Sequence, residues 1–153
     1  MTLEERLHAV AAVPEFRNMP APARAALAAA MREEFFAAGE TVVAAGEAAD
    51  RVFVLCEGTL EVTQAGRAGI VRRLERGTLL GELAFFEDEV RTATVRSATD
   101  CTLLSLPFEN FRAFLLSYPE GALVLTGRIV RTLRSLEAEM ARTASGPTPS
   151  DSR

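Results

Sequence analysis

Hydrophobic and polar positions divide the chain into three parts. Residues 3–33 are rich in helix-forming residues and are interrupted by Pro14, Pro20 and Pro22, which predicts two short helices with a bend between them. Residues 35–106 follow a different pattern, in which short apolar runs rich in Val, Leu, Phe and Thr are separated by recurring glycines. This pattern predicts the short strands of an antiparallel sandwich or barrel, and the clearest such runs are Thr41–Val43, Val52–Cys56, Leu60–Val62 and Ala93–Val95.

Helical spacing returns after this central part. A first helix places its apolar residues on one face, and a longer helix after Pro119 carries one apolar stripe. The first face comprises Phe108, Phe111, Phe114 and Leu115, and the stripe comprises Ala122, Leu125, Ile129, Leu133, Leu136 and Met140. Residues 142–153 contain almost nothing to bury. We therefore expect one domain over residues 1–141 and a disordered tail over residues 142–153.

Composition and charge exclude several classes of protein. A formal net charge of −4 argues against bulk attraction to nucleic acid or to an anionic membrane surface, so we expect neither partner. Neither a secretory signal nor a membrane-spanning segment is evident, which predicts a cytoplasmic protein. With His8 as its only histidine, the chain lacks the cluster that a metal-dependent barrel enzyme would need, so we expect no enzyme, metal or cofactor. Cys56 and Cys101 lie in apolar runs, which predicts that both are core residues. The sequence does not exclude a disulfide between them.

The most informative segment spans residues 80–95. Gly81 permits close approach of the backbone to a ligand, and the helical turn predicted after it would direct free N–H groups at an anion such as phosphate. Glu82 begins that turn, where a carboxylate is favoured and can accept hydrogen bonds from sugar hydroxyls. Further on, Arg91 supplies a permanent positive charge for a phosphate. Together they suit a nucleotide that presents hydroxyl and phosphate on one edge, as a cyclic 3′,5′-phosphate does.

This segment resembles the phosphate-binding cassette of cyclic nucleotide-binding domains, such as those of the catabolite activator protein and of cyclic-nucleotide-dependent kinases. The order Gly81-Glu82-Leu83-Ala84, then a gap, then Arg91-Thr92-Ala93-Thr94-Val95 matches the kinase-type cassette. The resemblance covers about residues 13–140. It implies an antiparallel β-roll of the double-stranded, jelly-roll type, with N-terminal helices and a C-terminal lid or dimerisation helix.

The resemblance also implies a role for each site residue. Glu82 would hold the ribose 2′-hydroxyl, and Arg91 would hold the cyclic phosphate. Other contacts would come from the backbone of Leu83, Ala84, Thr92 and Ala93 to the phosphate oxygens, and from Val71 and Leu80 to the sugar and base. The Thr92 hydroxyl can bond a phosphate oxygen or the 2-amino group of a syn guanine, so cAMP and cGMP both stay open as ligands.

Two functions from different classes fit these residues. The first is a sensor that moves its C-terminal helix when a cyclic purine nucleotide binds and so acts on a protein effector that the sequence does not name. The second is a nucleotide-blind module that dimerises through residues 119–140. Arg128, Arg131 and Arg134 on the last helix favour a solvated face that pairs with Glu137 and Glu139, while contact with nucleic acid phosphate or stacking on the bound nucleotide stays open.

Overall fold

Three helices precede the strands. The computed structural model describes residues 1–64, 66–87 and 93–144, and its first helices are α1 (Leu3–Ala11), α2 (Pro14–Arg17) and α3 (Ala21–Ala30). The prediction of two helices was wrong, because Pro14 begins a separate short helix rather than bending a longer one. Proline is well tolerated in the first turn of a helix, where a backbone N–H has no partner within the helix.

The central part forms two four-stranded antiparallel sheets in the described residues. Sheet A has the strand order β1-β8-β3-β6 and sheet B the order β2-β7-β4-β5. The strands are β1 (Arg32–Phe36), β2 (Thr41–Val43), β3 (Arg51–Glu57), β4 (Leu60–Gln64), β5 (Arg72–Leu74), β6 (Leu79–Leu80), β7 (Ala93–Ser97) and β8 (Cys101–Pro107). Each of the four strand segments predicted from the sequence lies in one of these strands. The expected antiparallel β-roll is thus confirmed.

Two apolar clusters hold the layers together. The interior cluster lies between the sheets and contains Val42, Val43, Phe53, Leu55, Leu60, Leu74, Leu80, Val95, Cys101 and Leu103. The helix-side cluster lies between sheet A and the helices, and its sheet residues are Val52, Val54, Cys56, Leu79, Leu104 and Leu106. Strand β3 supplies alternate side chains to both clusters, so it is buried on both faces.

The turn between β3 and β4 depends on Gly58. Its φ of 98° is rare for residues with a side chain, and a Cβ atom there would lie 2.5 Å from the carbonyl oxygen of Asp100 and 2.6 Å from Sγ of Cys101. Gly46 also has a positive φ, 89°, but a Cβ atom there would have no neighbour within 4 Å. Gly58 therefore meets a steric demand as well as a conformational one.

Cys56 and Cys101 are free and buried, as expected of core residues. Cys56 belongs to the helix-side cluster and Cys101 to the interior cluster, so their side chains lie on opposite faces of sheet A. That placement separates the two thiols and excludes the disulfide that the sequence left open. Burial raises the pKa of the Cys56 thiol to about 11.

Three further helices accompany the sheets in the part of the chain that the structure describes. They are α4 (Glu82–Glu87), α5 (Phe108–Ser117) and α6 (Pro119–Ala144), and the last two confirm the helices predicted from apolar spacing. Leu125 of α6 is fully buried in the helix-side cluster. Helix α6 ends at Ala144, so it includes residues 142–144 of the segment predicted to be a tail. Residues 145–153, the rest of the predicted tail, lie outside the described residues.

Candidate functional site

The predicted site begins where β6 ends and α4 starts. Gly81 has a φ of 97°, which turns the chain sharply out of the strand. Glu82, the first residue of α4, is only 3% exposed. A buried carboxylate requires hydrogen-bonding or charged partners, and the first turn of a helix favours negative charge. The helical turn predicted after Gly81 is thus confirmed, and it holds an acidic side chain away from bulk water.

The residues on either side of Glu82 fix its position. Leu80 is buried in the interior cluster, and its backbone pairs with Phe53 in β3. Leu83 and Ala84 follow within α4, where Ala84 is half-buried. One end of the cassette is therefore attached to sheet A through β6.

The other end of the cassette returns to sheet B. Ala93 begins β7 and pairs with Gln64 of β4, and Thr94 accepts a hydrogen bond at Oγ1 from the Ala45 amide at 3.0 Å. The cassette thus bridges the two sheets. Arg91 and Thr92, to which the sequence assigns the phosphate and possible guanine contacts, lie outside the described residues.

Strands β4 and β5 bring together residues that line the edge of the interior. Val71, predicted to pack on sugar and base, lies just before β5 and donates its backbone N–H to the Val62 carbonyl at 2.8 Å. Val62 packs against the interior cluster and pairs with Val95 on one side and Arg72 on the other. Sequence reasoning missed Val62 and Arg72, because the register that makes them neighbours is set by strand pairing. The only available signal was the alternation of Leu60 and Val62.

An aromatic group connects the cassette helix to the C-terminal helices. The Phe85 ring of α4 meets Phe108 and Phe111 of α5 edge to face, with centroids 5.3 and 4.9 Å away. Phe114 then continues the contact to Tyr118, which precedes α6, at 5.4 Å. A shift of α4 would therefore change the packing of side chains directly before α6.

A cleft of about 460 Å³ lies at sheet A, and its lining includes Arg32, Ser105 and Pro107. Its most buried cation, Arg51, bridges two carboxylates: Nε lies 3.1 Å from Glu34, and Nη1 lies 3.2 Å from Asp50. Because acid and base neutralise each other there, this cleft offers little attraction for an anion.

Within residues 1–64, 66–87 and 93–144, no group of three or more His, Cys, Asp or Glu side chains could hold a metal ion. Over the same part of the chain, no helix has the length and apolar character needed to cross a bilayer.

Two antiparallel sheets joined by a glycine turn and a short helix define the class of β-roll domains. The family model described as "Cyclic nucleotide-binding domain" matches residues 33–118, more than half of the chain. This chain belongs to the cyclic nucleotide-binding domain family, which confirms the resemblance noted in the sequence.

Curated relatives include channels and kinases. A cyclic nucleotide-gated potassium channel of Mesorhizobium japonicum is 34% identical over 113 residues, which are 74% of this chain and 31% of the channel. A cGMP-dependent protein kinase of Caenorhabditis elegans is 39% identical over 75 residues, 49% of this chain and 9% of the kinase. The chain thus spans less than a third of the length of these relatives.

Solved structures show the same architecture. The N-terminal domain of a transcriptional regulator from Streptomyces coelicolor superimposes with a TM-score of 0.72 at 28% identity, covering 95% of this chain and 99% of that domain. The regulatory domain of Toxoplasma gondii protein kinase A, crystallised with cAMP, gives a TM-score of 0.73 at 26% identity over 84% of this chain and 50% of that one. One of these structures is a domain of a transcriptional regulator and the other a regulatory domain of a kinase.

Proposed function

We propose that this domain binds a 3′,5′-cyclic purine nucleotide, cAMP or cGMP, and acts as a regulatory sensor rather than an enzyme. The observation that carries the proposal is the cassette, in which Gly81 turns the chain and Glu82 is buried at the start of α4. Kinship with a cyclic nucleotide-gated channel and a cGMP-dependent kinase supports the same ligand class.

Each end of the ligand has a proposed partner in the cassette. Glu82 accepts a hydrogen bond from the ribose 2′-hydroxyl, and Arg91 neutralises the cyclic phosphate through its planar fork of donors. The remaining phosphate oxygens bond backbone N–H groups, and the sugar and base pack on apolar side chains. The backbone donors belong to Leu83, Ala84, Thr92 and Ala93, and the apolar contacts to Val71 and Leu80.

Binding is proposed to change the position of α6. Pairing of the cyclic phosphate with Arg91 is proposed to draw the segment from Glu82 to Arg91 inward, and the ligand binds this arrangement more tightly than the ligand-free one. Because α4 contacts α5 through Phe85 and Phe111, closure of the cassette shifts the aromatic group and with it the start of α6 near Pro119. Helix α6 then moves over the base, and a protein effector recognises the helix in its new position.

Calorimetry with a matched pair of arginine variants tests the binding. Arg91→Ala should abolish the heat of cAMP and cGMP binding, because it removes the charge that pairs with the phosphate. Arg96→Ala makes the same change in net charge at an exposed position where Arg96 donates to the Gly39 carbonyl, and it should leave affinity within about threefold. A folded wild-type protein that ignores both nucleotides at millimolar concentration would refute the sensor function.

Spin labels test the helix movement. The native cysteines are buried, so new cysteines at exposed Arg134 in α6 and Thr41 in β2 can be labelled selectively. Electron–electron distances between these labels should change when cGMP or cAMP is added, whereas a pair at Thr41 and Arg67, both on the roll, should not. An unchanged helix-to-roll distance in the nucleotide complex would eliminate the proposed movement.

A second candidate function is a dimerisation module that does not respond to nucleotides. It is favoured by α6, where Leu123 and Met140 are 75% and 70% exposed although the helix is strongly amphipathic in sequence. The two candidates differ in one measurement: only the sensor changes in thermal stability when cyclic nucleotide is added.

A further inference from the structure

Thr94 joins the end of the cassette to the loop between β2 and β3. Its Oγ1 accepts a hydrogen bond from the Ala45 amide at 3.0 Å. Thr94 directly follows Ala93, whose amide is a proposed phosphate donor, and Ala45 lies just after the end of β2. One side-chain hydrogen bond therefore holds the loop of residues 44–50 beside the place where the cassette returns to sheet B.

The pairing of β2 with β7 explains why a side chain takes this amide. Thr41 pairs with Arg96, but Val43 pairs with Val95, so the register shifts between these two pairs. Such a bulge bends a strand and interrupts the ladder of backbone hydrogen bonds. Beyond the bulge, the Thr94 hydroxyl supplies the Ala45 amide with an acceptor in place of a backbone carbonyl.

The far end of the same loop is attached to α5. The Asp50 carbonyl accepts a hydrogen bond from the amide of Phe108, the first residue of that helix, at 2.9 Å. The Phe108 ring in turn meets the Phe85 ring of the cassette helix α4, with centroids 5.3 Å apart. The loop is thus fixed at one end to the strand that leaves the cassette and at the other to a helix that contacts its first half.

The loop is also constrained between these two attachments. The Glu47 amide donates to the Ala44 carbonyl at 3.2 Å and closes a turn, in which Gly46 has a φ of 89°. A short loop that contains its own turn has few conformations available to it. The bond from Ala45 therefore ties Thr94 to a well-defined segment, which in turn is tied to α5.

We propose that Thr94 is a positioning residue for the nucleotide site, because its hydroxyl holds the start of β7, and with it the Ala93 amide, in place for the phosphate. This inference rests on the proposed binding of a cyclic purine nucleotide. Ala45 is exposed, so without Thr94 Oγ1 its amide binds water and the fold loses little. The end of the cassette then has more conformations to lose when the ligand binds, which lowers affinity.

Three variants test this role by calorimetry with cAMP and cGMP. Thr94→Val removes the acceptor at nearly constant shape, and we expect affinity to fall about fivefold. Thr94→Ser keeps a hydroxyl and should stay within about twofold of wild type. Thr63→Val is the matched control, since Thr63 pairs with Thr94 across the sheet, is equally half-buried, and has a hydroxyl without a hydrogen bond in the described part of the chain. It should also stay within about twofold.

Amide hydrogen exchange and urea unfolding separate positioning from general stability. The Ala45 amide should exchange about fivefold faster in nucleotide-free Thr94→Val than in wild type, while the urea midpoints of Thr94→Val and Thr63→Val stay alike. Added nucleotide should slow this exchange in wild type and in Thr94→Ser.

Two results would overturn the inference while nucleotide binding stands. One is equal affinity of Thr94→Val and Thr63→Val, and the other is a loss in Thr94→Val that Thr94→Ser shares. If folded wild-type protein binds neither cAMP nor cGMP, the sensor function and this inference both fail. Circular dichroism of each variant verifies the fold.

Discussion

Phe85 meets Phe111 edge to face, with ring centroids 4.9 Å apart and planes inclined by 74°. This contact joins the cassette helix α4 to α5, two elements that are otherwise far apart in sequence. Arg112 adds a cation above the same ring, 5.8 Å from its centroid. The cassette helix is therefore in direct contact with the helix that precedes α6.

Phe85→Ala should destabilise the protein by about 2 kcal/mol, because it removes two aromatic contacts from a half-buried position. The same variant should bind cyclic nucleotide more weakly, since α4 loses its support. Leu116→Ala, on α5 but 77% exposed, should change stability by less than about 0.5 kcal/mol. Urea unfolding and calorimetry measure both effects. Equal behaviour of the two variants would show that the aromatic contact is not coupled to the site.

Gly58→Ala should be far more damaging than Gly46→Ala. Both substitutions carry the conformational cost of a positive φ, about 1–2 kcal/mol, but only the first drives a methyl group into a backbone carbonyl and a buried sulfur. We expect the difference in the free energy of unfolding to reach roughly 2 kcal/mol or more. Denaturant midpoints of the two variants measure this difference. Equal midpoints would mean that the loop around Asp100 moves to accept a methyl group at residue 58 without cost.

The two thiols should be unreactive in the folded protein. Neither Cys56 nor Cys101 should react with a thiol reagent at pH 8 until denaturant is added, and mild oxidation should form no intramolecular disulfide. Burial raises the Cys56 pKa from its ordinary 9.0 to about 11, so the folded state favours the protonated thiol. That stabilisation is complete below about pH 9 and declines as pH rises toward 11. Rapid native labelling of either thiol would contradict this arrangement.

Met140→Glu should convert a dimer to a monomer if α6 pairs with a second copy. Met140 ends the apolar stripe and is 70% exposed, so a charge there would have to be buried in the helix–helix contact. Ala138→Glu adds the same charge on another side of the helix and should leave the mass unchanged. Light scattering should give twice the 16.5 kDa of one chain for wild type and for the control. A monomeric wild type would exclude dimerisation by this helix.

The sequence predicted those features that depend on local chemistry. Glycine-bounded apolar runs marked the strands, and the spacing of Phe108, Phe111 and Phe114 marked α5, because both patterns record which side chains are buried. Gly81 and Glu82 were identifiable since a turn glycine followed by an acidic helix start is a local motif. Family resemblance then supplied roles for Arg91 and Thr92, which stay predictions.

Features that depend on pairing were beyond the sequence. Arg73 lies opposite Glu61 and forms an ion pair with it, a contact that depends on the register of β5 with β4. The same holds for Cys56 and Cys101, whose separation follows from which face of sheet A each occupies. The third N-terminal helix was missed because Pro14 can either bend a helix or begin one.

Strand β3 contributes side chains to both the interior cluster and the helix-side cluster. Its odd-numbered residues Phe53 and Leu55 complete the interior of the roll, and its even-numbered residues Val52 and Val54 complete the packing of the helices. Detaching the helices would expose Val52 and Val54 to water. Separating the two sheets would expose Phe53 and Leu55. We therefore expect the helices and the sheets to unfold together, and a ligand that binds only the folded roll should also raise the temperature at which the helices unfold.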